Sequence, residues 1–228
     1  FHLSETGGSR PSWPVAHNEA PLGWLAPFAW MGWVGVPMFF VLSGFLIAAS
    51  AVNSSPIGFL RKRAIRIFPT LWISCLIALT ARALWGEPLG ELVPAFIRAT
   101  ALWPKGPYID GVVWSLVVEA VFYLVICVTI QRTRRGVGVQ NGLLRTALAI
   151  GLASTAFTLI QRLLAESEQA TALMGSFAFD LLLLRQGMFF AIGMLLFHLI
   201  DQPMTRRIAG ALGLAASVVN IVVGGSIF

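Results

Sequence analysis

Long apolar stretches recur along the chain, and they constrain its fold more than any other feature. A helix that crosses a bilayer needs about 20 mostly apolar residues, and six stretches of that length are separated by short polar connections. They lie at 33–52, 67–85, 112–130, 143–160, 176–200 and 208–227. With 57% hydrophobic and 11% charged residues, a water-soluble chain would lack the polar surface to cover itself. The sequence therefore predicts an all-α bundle of transmembrane helices.

The two ends of the chain look interrupted. Residues 1–3 are typical of the end of a further span, so we expect a stub of a first helix there. We also expect the domain to continue past residue 228. The prediction is one incomplete, membrane-embedded domain over 1–228.

The segment 85–111 is too rich in Pro and Gly to cross a membrane. Leu92, Phe96 and Ala99 recur at helical spacing within it, which predicts a helix that lies on the outer membrane surface. Aromatic residues typical of a membrane-interface belt occur in the same segment. They are Trp85, Trp103 and Tyr108.

Positive charge is concentrated on one side of the predicted bundle. One set of connections and helix ends contains the basic clusters, at 61–66, 132–145 and 206–207. The acidic residue in this first set is Asp201, whereas the other set contains more acidic than basic residues. The positive-inside rule assigns the first set to the cytoplasm. We expect a bacterial cytoplasmic (inner) membrane, with the Arg- and Lys-rich loops inside.

Two classes of protein are disfavoured. The basic isoelectric point, about 10.4, follows from this loop asymmetry, and no motif indicates nucleic-acid binding. Cys75 and Cys127 both lie in apolar runs, so they predict neither a disulfide nor a metal site.

Glu119 is the most informative ionisable residue, because a charged group inside a span is costly and is a functional candidate by default. Ser115 lies one helical turn before it and Tyr123 one turn after, on the same helix face. The sequence leaves two interpretations open. Glu119 is either a hydrogen-bonded structural group or a carboxylate that orients a substrate or a catalytic histidine.

Asp180 and Arg185 lie five residues apart in one predicted span. An intramembrane ion pair explains them, and an anionic substrate bound by Arg185 is the alternative. His198, near the inner end of that span, is interpreted as a core or interface histidine.

Two further histidines compete for a catalytic role. His2 lies in the stub of the first span, and imidazole is suited to accept a hydroxyl proton near neutral pH. His17 lies in a polar loop with nothing apolar around it to change its properties.

Arg63 and Arg66 are three residues apart on one face of a basic helix that precedes Pro69. Anchoring on anionic lipid explains such a cluster. A site for a phosphorylated cofactor is the alternative, since guanidinium groups bind phosphate bidentately.

Three stretches together resemble the membrane acyltransferase family 3. They are GWVGVPMFFVLSGFLI at 32–47, RKRAIRIFP at 61–69 and VVWSLVVEAVFY at 112–123. The resemblance implies an acyl transferase, commonly of acetyl from acetyl-CoA, that acts on hydroxyls of surface or secreted glycans. Pro37 stands where the family often has Asp, which removes one acidic group from the expected site.

The resemblance also implies roles for individual residues. His2 matches the family's essential histidine and would act as the general base or accept the acyl group, while Glu119 would orient it. The phosphates of acetyl-CoA would lie near Arg63 and Arg66, with no metal required. Orienting or channel-lining residues complete the expected site: Ser43, Gly44, Trp114, Ser115 and Tyr123.

Ser43 and Gly44 lie at the middle of a span, where two explanations are open. They permit close helix packing, or they form the wall of an acyl-transfer channel in which Ser43 helps to bind the oxyanion. Pro37 is interpreted as an entry turn at the outer end of this span.

A polytopic glycolipid transporter or flippase that uses Glu119, Asp180 and Arg185 is the alternative function.

Overall fold

The structure, a computed structural model, describes residues 29–133, 138–164 and 176–201, together with Ala211 and Gly213. Every regular element in this part of the chain is a helix. The seven helices are α1 (Ala29–Ala51), α2 (Pro56–Leu84), α3 (Leu89–Thr100), α4 (Val113–Thr133), α5 (Val139–Leu163), α6 (Phe177–Leu181) and α7 (Gly187–Asp201).

The described helices have the lengths and apolar compositions of a membrane bundle. Three of them, α2, α4 and α5, are long and apolar enough to cross a bilayer. The segments Gly35–Ala51 of α1 and Gly187–Ile200 of α7 are shorter apolar helices. The prediction of an all-α membrane bundle is confirmed. The last predicted span, 208–227, lies outside the described residues except for Ala211 and Gly213.

Pro37 and Pro69, which the sequence places at helix ends, lie inside helices. Helix α2 begins at Pro56, where Ser55 accepts a hydrogen bond from Gly58 N at 3.1 Å. It then continues through Pro69 without interruption, so the basic segment and the following span form one helix. Pro37 lies inside α1, and its interpretation as an entry turn is wrong. Neighbouring helices make such prolines tolerable within a membrane bundle.

The predicted continuous span 176–200 is interrupted, which corrects the expectation from the sequence. Helix α6 ends at Leu181 and α7 begins at Gly187. Leu183, between them, has a φ of 58°, a left-handed conformation that ends helices and is usually taken by Gly.

Hydrogen bonds stabilise this interruption. Leu184 N donates to Phe179 O and Leu183 N donates to Asp180 O, both at 3.0 Å, which is the pairing of a Schellman motif. Ser154 Oγ on α5 donates to Leu184 O at 2.7 Å. The carbonyl of Leu184, which has no helical partner in the interruption, therefore accepts a hydrogen bond inside the bundle, as a buried backbone group requires.

The backbones of α1 and α7 are in direct contact at two glycines. A Cβ atom built on Gly44 would overlap the carbonyl oxygen of Phe190 and lie 3.0 Å from its carbonyl carbon. A Cβ on Gly193 would overlap Val41 O and lie 2.7 Å from Phe45 N. Small residues allow such close approach of membrane helices. The packing explanation for Gly44 is therefore the one that the structure supports.

Two apolar clusters share α4. In the larger one, the rings of Phe122 and Phe190 stack with centroids 4.1 Å apart, and Phe40 lies 4.7 Å from Phe190. The smaller one joins α2, α3 and α4 through Leu71, Leu92 and their neighbours. Helix α3, which the sequence predicts, buries Leu92 and Ala99 against α2. The face of α4 between the two clusters carries the candidate site.

Candidate functional site

Glu119 is buried between α4 and α1, with 5% of its surface exposed. Ser43 Oγ donates a hydrogen bond to Glu119 Oε1 at 2.6 Å. A buried carboxylate without a partner would be strongly destabilising, and this bond supplies one partner. The two residues that the sequence singled out on separate spans are thus in direct contact.

Tyr123 lies one helical turn beyond Glu119 and is also buried. Its side chain interacts with the Glu119 carboxyl group, and its ring lies 5.6 Å from the guanidinium carbon of Arg63. The ring of Phe59 meets it edge-on, with centroids 6.1 Å apart. Tyr123 therefore connects the acidic and basic parts of the site.

Arg63 is buried and donates hydrogen bonds to α1. Its Nη2 donates to Leu46 O at 2.9 Å and to Ser50 Oγ, while its guanidinium carbon lies 5.5 Å from the Phe59 ring centre. A cation held by a carbonyl, a hydroxyl and two aromatic faces is an internal link between α1, α2 and α4. This geometry favours a structural role for Arg63.

Arg66 differs from Arg63, although it lies on the same helix. It is exposed and lines the same cavity. It makes no hydrogen bond or ion pair with any residue that the structure describes. No described residue occupies its five N–H donors, which suit an anionic group.

These residues line one cavity of about 390 Å³ between α1, α2, α4 and the turn that precedes α4. From Arg63 to Ser74 the cavity follows α2 for about 17 Å, at 1.5 Å per helical residue. Its charged and polar lining is Ser43, Arg63, Arg66, Thr70, Ser74, Asp110, Glu119 and Tyr123. Apolar side chains of all three helices form the rest of the wall.

Three of the predicted wall residues lie elsewhere. Gly44 contacts α7, as described above. Ser115 donates from Oγ to Val112 O at 2.8 Å, within its own helix start. Trp114 packs edge-on against Phe40, with centroids 6.1 Å apart. These three residues serve packing or local helix structure. Of the predicted orienting or channel-lining residues, Ser43 and Tyr123 line the cavity.

Both histidines that were candidates for the base, His2 and His17, lie outside the described residues. His198 is fully buried, with Nδ1 2.9 Å from Met194 O and Nε2 3.0 Å from Gln140 O. These contacts fit a core histidine that joins α7 to α5.

Asp180, in α6, forms an ion pair with Arg185, in the interruption between α6 and α7. Arg185 Nη1 lies 3.4 Å from Asp180 Oδ2. The ion-pair explanation is therefore supported by the structure. The pair connects α6 to the segment between the two helices, since Arg185 lies within that segment.

Sequence reasoning missed four polar residues of the site. Ser50 contacts Arg63, and the other three, Thr70, Ser74 and Asp110, line the cavity. Thr70 and Ser74 are spaced i, i+4 on one helix, a signal that was available in the sequence. Ser50 and Asp110 carry no comparable signal, because their contacts depend on how α1 and the turn before α4 are placed.

Comparisons with known proteins agree with the resemblance. The family model described as "Acyltransferase domain", of acyltransferase family 3, matches residues 8–228. The chain is similar to nodulation protein 10 of Rhizobium leguminosarum bv. viciae, at 30% identity over 124 residues. That alignment covers 44% of this chain and 34%, about a third, of the relative. No solved structure matches it. The chain belongs to acyltransferase family 3, a family of acyl-transferring enzymes, and is an integral membrane protein.

Proposed function

We propose that the protein is a membrane-bound O-acyltransferase that transfers an acetyl group from acetyl-CoA to a hydroxyl of a carbohydrate or other cell-surface acceptor. Family membership supports acyl transfer as such. The observation that carries the finer proposal is the Ser43–Glu119 pair, held at 2.6 Å beside a cavity that also exposes Arg66. A fixed carboxylate and an available cation suit a base-assisted reaction of an anionic donor.

Arg66 is the proposed contact for the phosphates of acetyl-CoA. It is exposed and has no hydrogen-bonding partner among the described residues, and guanidinium groups bind phosphate bidentately. Arg63, which the sequence grouped with it, already donates to Leu46 O and Ser50. We assign Arg63 the role of positioning Tyr123 and α1 beside the donor.

His2 is the proposed base. It would remove the proton from the acceptor hydroxyl, whose oxygen then attacks the thioester carbonyl carbon. The carbon–sulfur bond breaks, and the coenzyme A thiolate leaves and takes up the proton. Glu119 would stabilise the imidazolium that forms in this step, and Ser43 holds Glu119 in place. A covalent acyl group on His2 is the stepwise form of the same chemistry.

The two substrates would approach from opposite sides of the bilayer. The positive-inside rule assigns the basic start of α2, with Arg66, to the cytoplasm, where acetyl-CoA is made. The same rule assigns the turn at Asp110 to the outside. A cavity that follows α2 for about 17 Å would bring a cytoplasmic thioester close to an external hydroxyl. A bacterial inner membrane is the proposed location.

Family membership favours acyl transfer over the alternative of glycolipid transport. Asp180 and Arg185, which a transporter would use as coupling groups, are paired with each other.

A thioester assay tests the proposal. Membranes that contain the protein are incubated with radiolabelled acetyl-CoA and a cell-envelope glycan fraction, and both free thiol and acetylated glycan are measured. We expect the release of free thiol to depend on the glycan fraction, and acetylation of the glycan to depend on acetyl-CoA. Glu119→Gln should lower the rate about 100-fold or more, whereas Glu91→Gln, at an exposed acid of α3 outside the cavity, should not.

Charge reversal tests the donor site separately. Arg66→Glu should raise the KM for acetyl-CoA at least about tenfold, the value of one charge-assisted hydrogen bond. Arg61→Glu is the matched control, because Arg61 is exposed on the same helix and does not line the cavity. Equal KM values for the two variants would rule out Arg66 as the phosphate contact. Translocation of a glycolipid without thioester loss would rule out the enzyme.

A further inference from the structure

Two hydroxyl groups on α2 lack the hydrogen bonds that the other hydroxyls of the described helices make. Serine and threonine inside a helix usually bond back to a carbonyl three or four residues earlier. Thr80 on the same helix does so, at 2.8 Å from Leu76 O. Thr70 and Ser74 make no hydrogen bond to any described residue. Both are exposed and line the cavity.

Asp110 lies in the wall of the same cavity. Its Oδ1 accepts a hydrogen bond from Val112 N at 3.1 Å, which helps to begin α4. Its other carboxylate oxygen makes no hydrogen bond with the described part of the chain. The residue is half-buried, so this second oxygen can accept a hydrogen bond from a ligand or from water.

The polar groups of the cavity are separated along α2. Ser74 lies eight residues after Arg66, or about 12 Å at 1.5 Å per residue. Apolar side chains, Ile67 and Leu71 from α2 and Leu116 from α4, line the wall as well. Arg66 therefore lies toward one end, Ser74 toward the other, and Thr70 one helical turn from each, with Asp110 in the same wall.

We propose that Thr70, Ser74 and Asp110 form the subsite that binds the acceptor, and that the group bound there is a neutral polyhydroxyl such as an uncharged sugar. Hydroxyls of Thr and Ser both donate and accept, and a carboxylate only accepts, so together they match the alternating donors and acceptors of a polyol. The Asp110 charge disfavours an anionic sugar, because like charges at close range repel. This inference rests on the proposed function, since an acceptor site has a purpose only if acyl transfer occurs.

Labelling of an introduced cysteine tests binding without any turnover. Ser74→Cys is treated with a cationic or an anionic methanethiosulfonate reagent, and its labelling is corrected for that of the parent protein, which retains Cys75 and Cys127. The negative charge of Asp110 should make the cationic reagent react faster, and Asp110→Asn should remove that difference. Asparagine keeps the side-chain oxygen that accepts from Val112 N, so α4 should begin as before.

Protection then identifies the ligand class. Saturating methyl β-glucoside should slow labelling of Ser74→Cys several-fold, and the corresponding uronate, methyl β-glucuronide, should not. Thr80→Cys is the matched control, because Thr80 is exposed on the same helix but does not line this cavity. Its labelling should be unaffected by either glycoside. Equal labelling of Ser74→Cys with and without both glycosides overturns the proposal.

Kinetics give an independent measurement. Thr70→Val and Ser74→Ala should each raise the KM for the acceptor about two- to tenfold, the value of one neutral hydrogen bond. The KM for acetyl-CoA should not change. Thr80→Val should change neither constant.

The proposed function and the acceptor subsite can be refuted separately. Protection of Ser74→Cys in a protein that consumes no acetyl-CoA would refute the proposed function and leave the subsite. Acetyl transfer with unchanged acceptor KM in Thr70→Val and Ser74→Ala would refute the subsite and leave the proposed function.

Discussion

Replacement of Gly193 by Ala should destabilise the bundle strongly for so small a change. The added methyl group would overlap Val41 O and lie 2.7 Å from Phe45 N and 3.0 Å from Gly44 Cα. All three are backbone atoms of α1, so no side chain can rotate away to relieve the overlap. The two helices must instead move apart along their whole contact, which is the most extensive one in the described bundle.

The magnitude follows from two opposing effects. Overpacking of a closely packed site costs about 1–3 kcal/mol, and backbone obstruction puts Gly193→Ala at the upper end. Alanine is better than glycine in a helix by about 1 kcal/mol, which offsets part of that cost. The net expectation is a loss of about 1–2 kcal/mol, or a factor of about 5–30 in the ratio of folded to unfolded protein.

Gly35→Ala is the matched control, because a Cβ at Gly35 meets no heavy atom of the described residues within 4 Å, apart from its own helix backbone and chain neighbours. Only the helix preference acts there, so Gly35→Ala should stabilise the protein by up to about 1 kcal/mol. Thermal unfolding of both variants in the same detergent, followed by loss of helical circular dichroism, measures the difference. If Gly193→Ala unfolds at the same temperature as Gly35→Ala, then α1 and α7 do not meet through their backbones.

Three further predictions concern the site and the outer loop. Ser43→Ala should slow acetyl transfer about two- to tenfold, since it removes the hydrogen bond from Ser43 Oγ to Glu119, and one such bond is worth about 0.5–1.5 kcal/mol; retention of the wild-type rate would show that Ser43 does not position the Glu119 carboxyl group. Arg63→Lys should lower kcat more than it changes the KM for acetyl-CoA, because one ammonium group cannot contact Leu46 O, Ser50 and two rings together; a change confined to KM would instead make Arg63 a donor contact. Burial raises the pKa of Tyr108 above its usual value, so its ionisation favours the unfolded chain, and stability should fall as pH rises above about 10; Tyr108→Phe should flatten that fall in a thermal-unfolding series, and an identical slope would refute the assignment.

The sequence predicted most of the fold because the bilayer imposes simple rules on helices. Apolar runs of sufficient length located α1, α2, α4 and α5, and periodic apolar residues located α3 within 85–111. The break between α6 and α7 was missed because a glycine or proline is the usual sign of one. Here Leu183 adopts the left-handed conformation, which only the local hydrogen bonds and Ser154 reveal.

The site was predicted in part for a similar reason. Glu119 was recognised by the cost of a charge at membrane depth, and family motifs pointed to Ser43 and the two arginines. The difference between Arg63 and Arg66 was not predictable, because it depends on the rotation of α2 against α1. Arg63 and Arg66 lie about 60° apart around the axis of α2. A rotation of the helix by less than the angle between consecutive residues would therefore change which guanidinium group faces α1.

The glycine contact between α1 and α7 also has a consequence for biosynthesis. Gly44 and Gly193 are separated by about 150 residues of chain, and ribosomes add about 5–20 residues per second. Helix α1 would therefore wait roughly 7–30 s in the membrane before the surface that it fits has been made. During that time the surface of α1 around Gly44 is open to lipid or to other helices, and its contact with α7 can form only after α7 has been inserted.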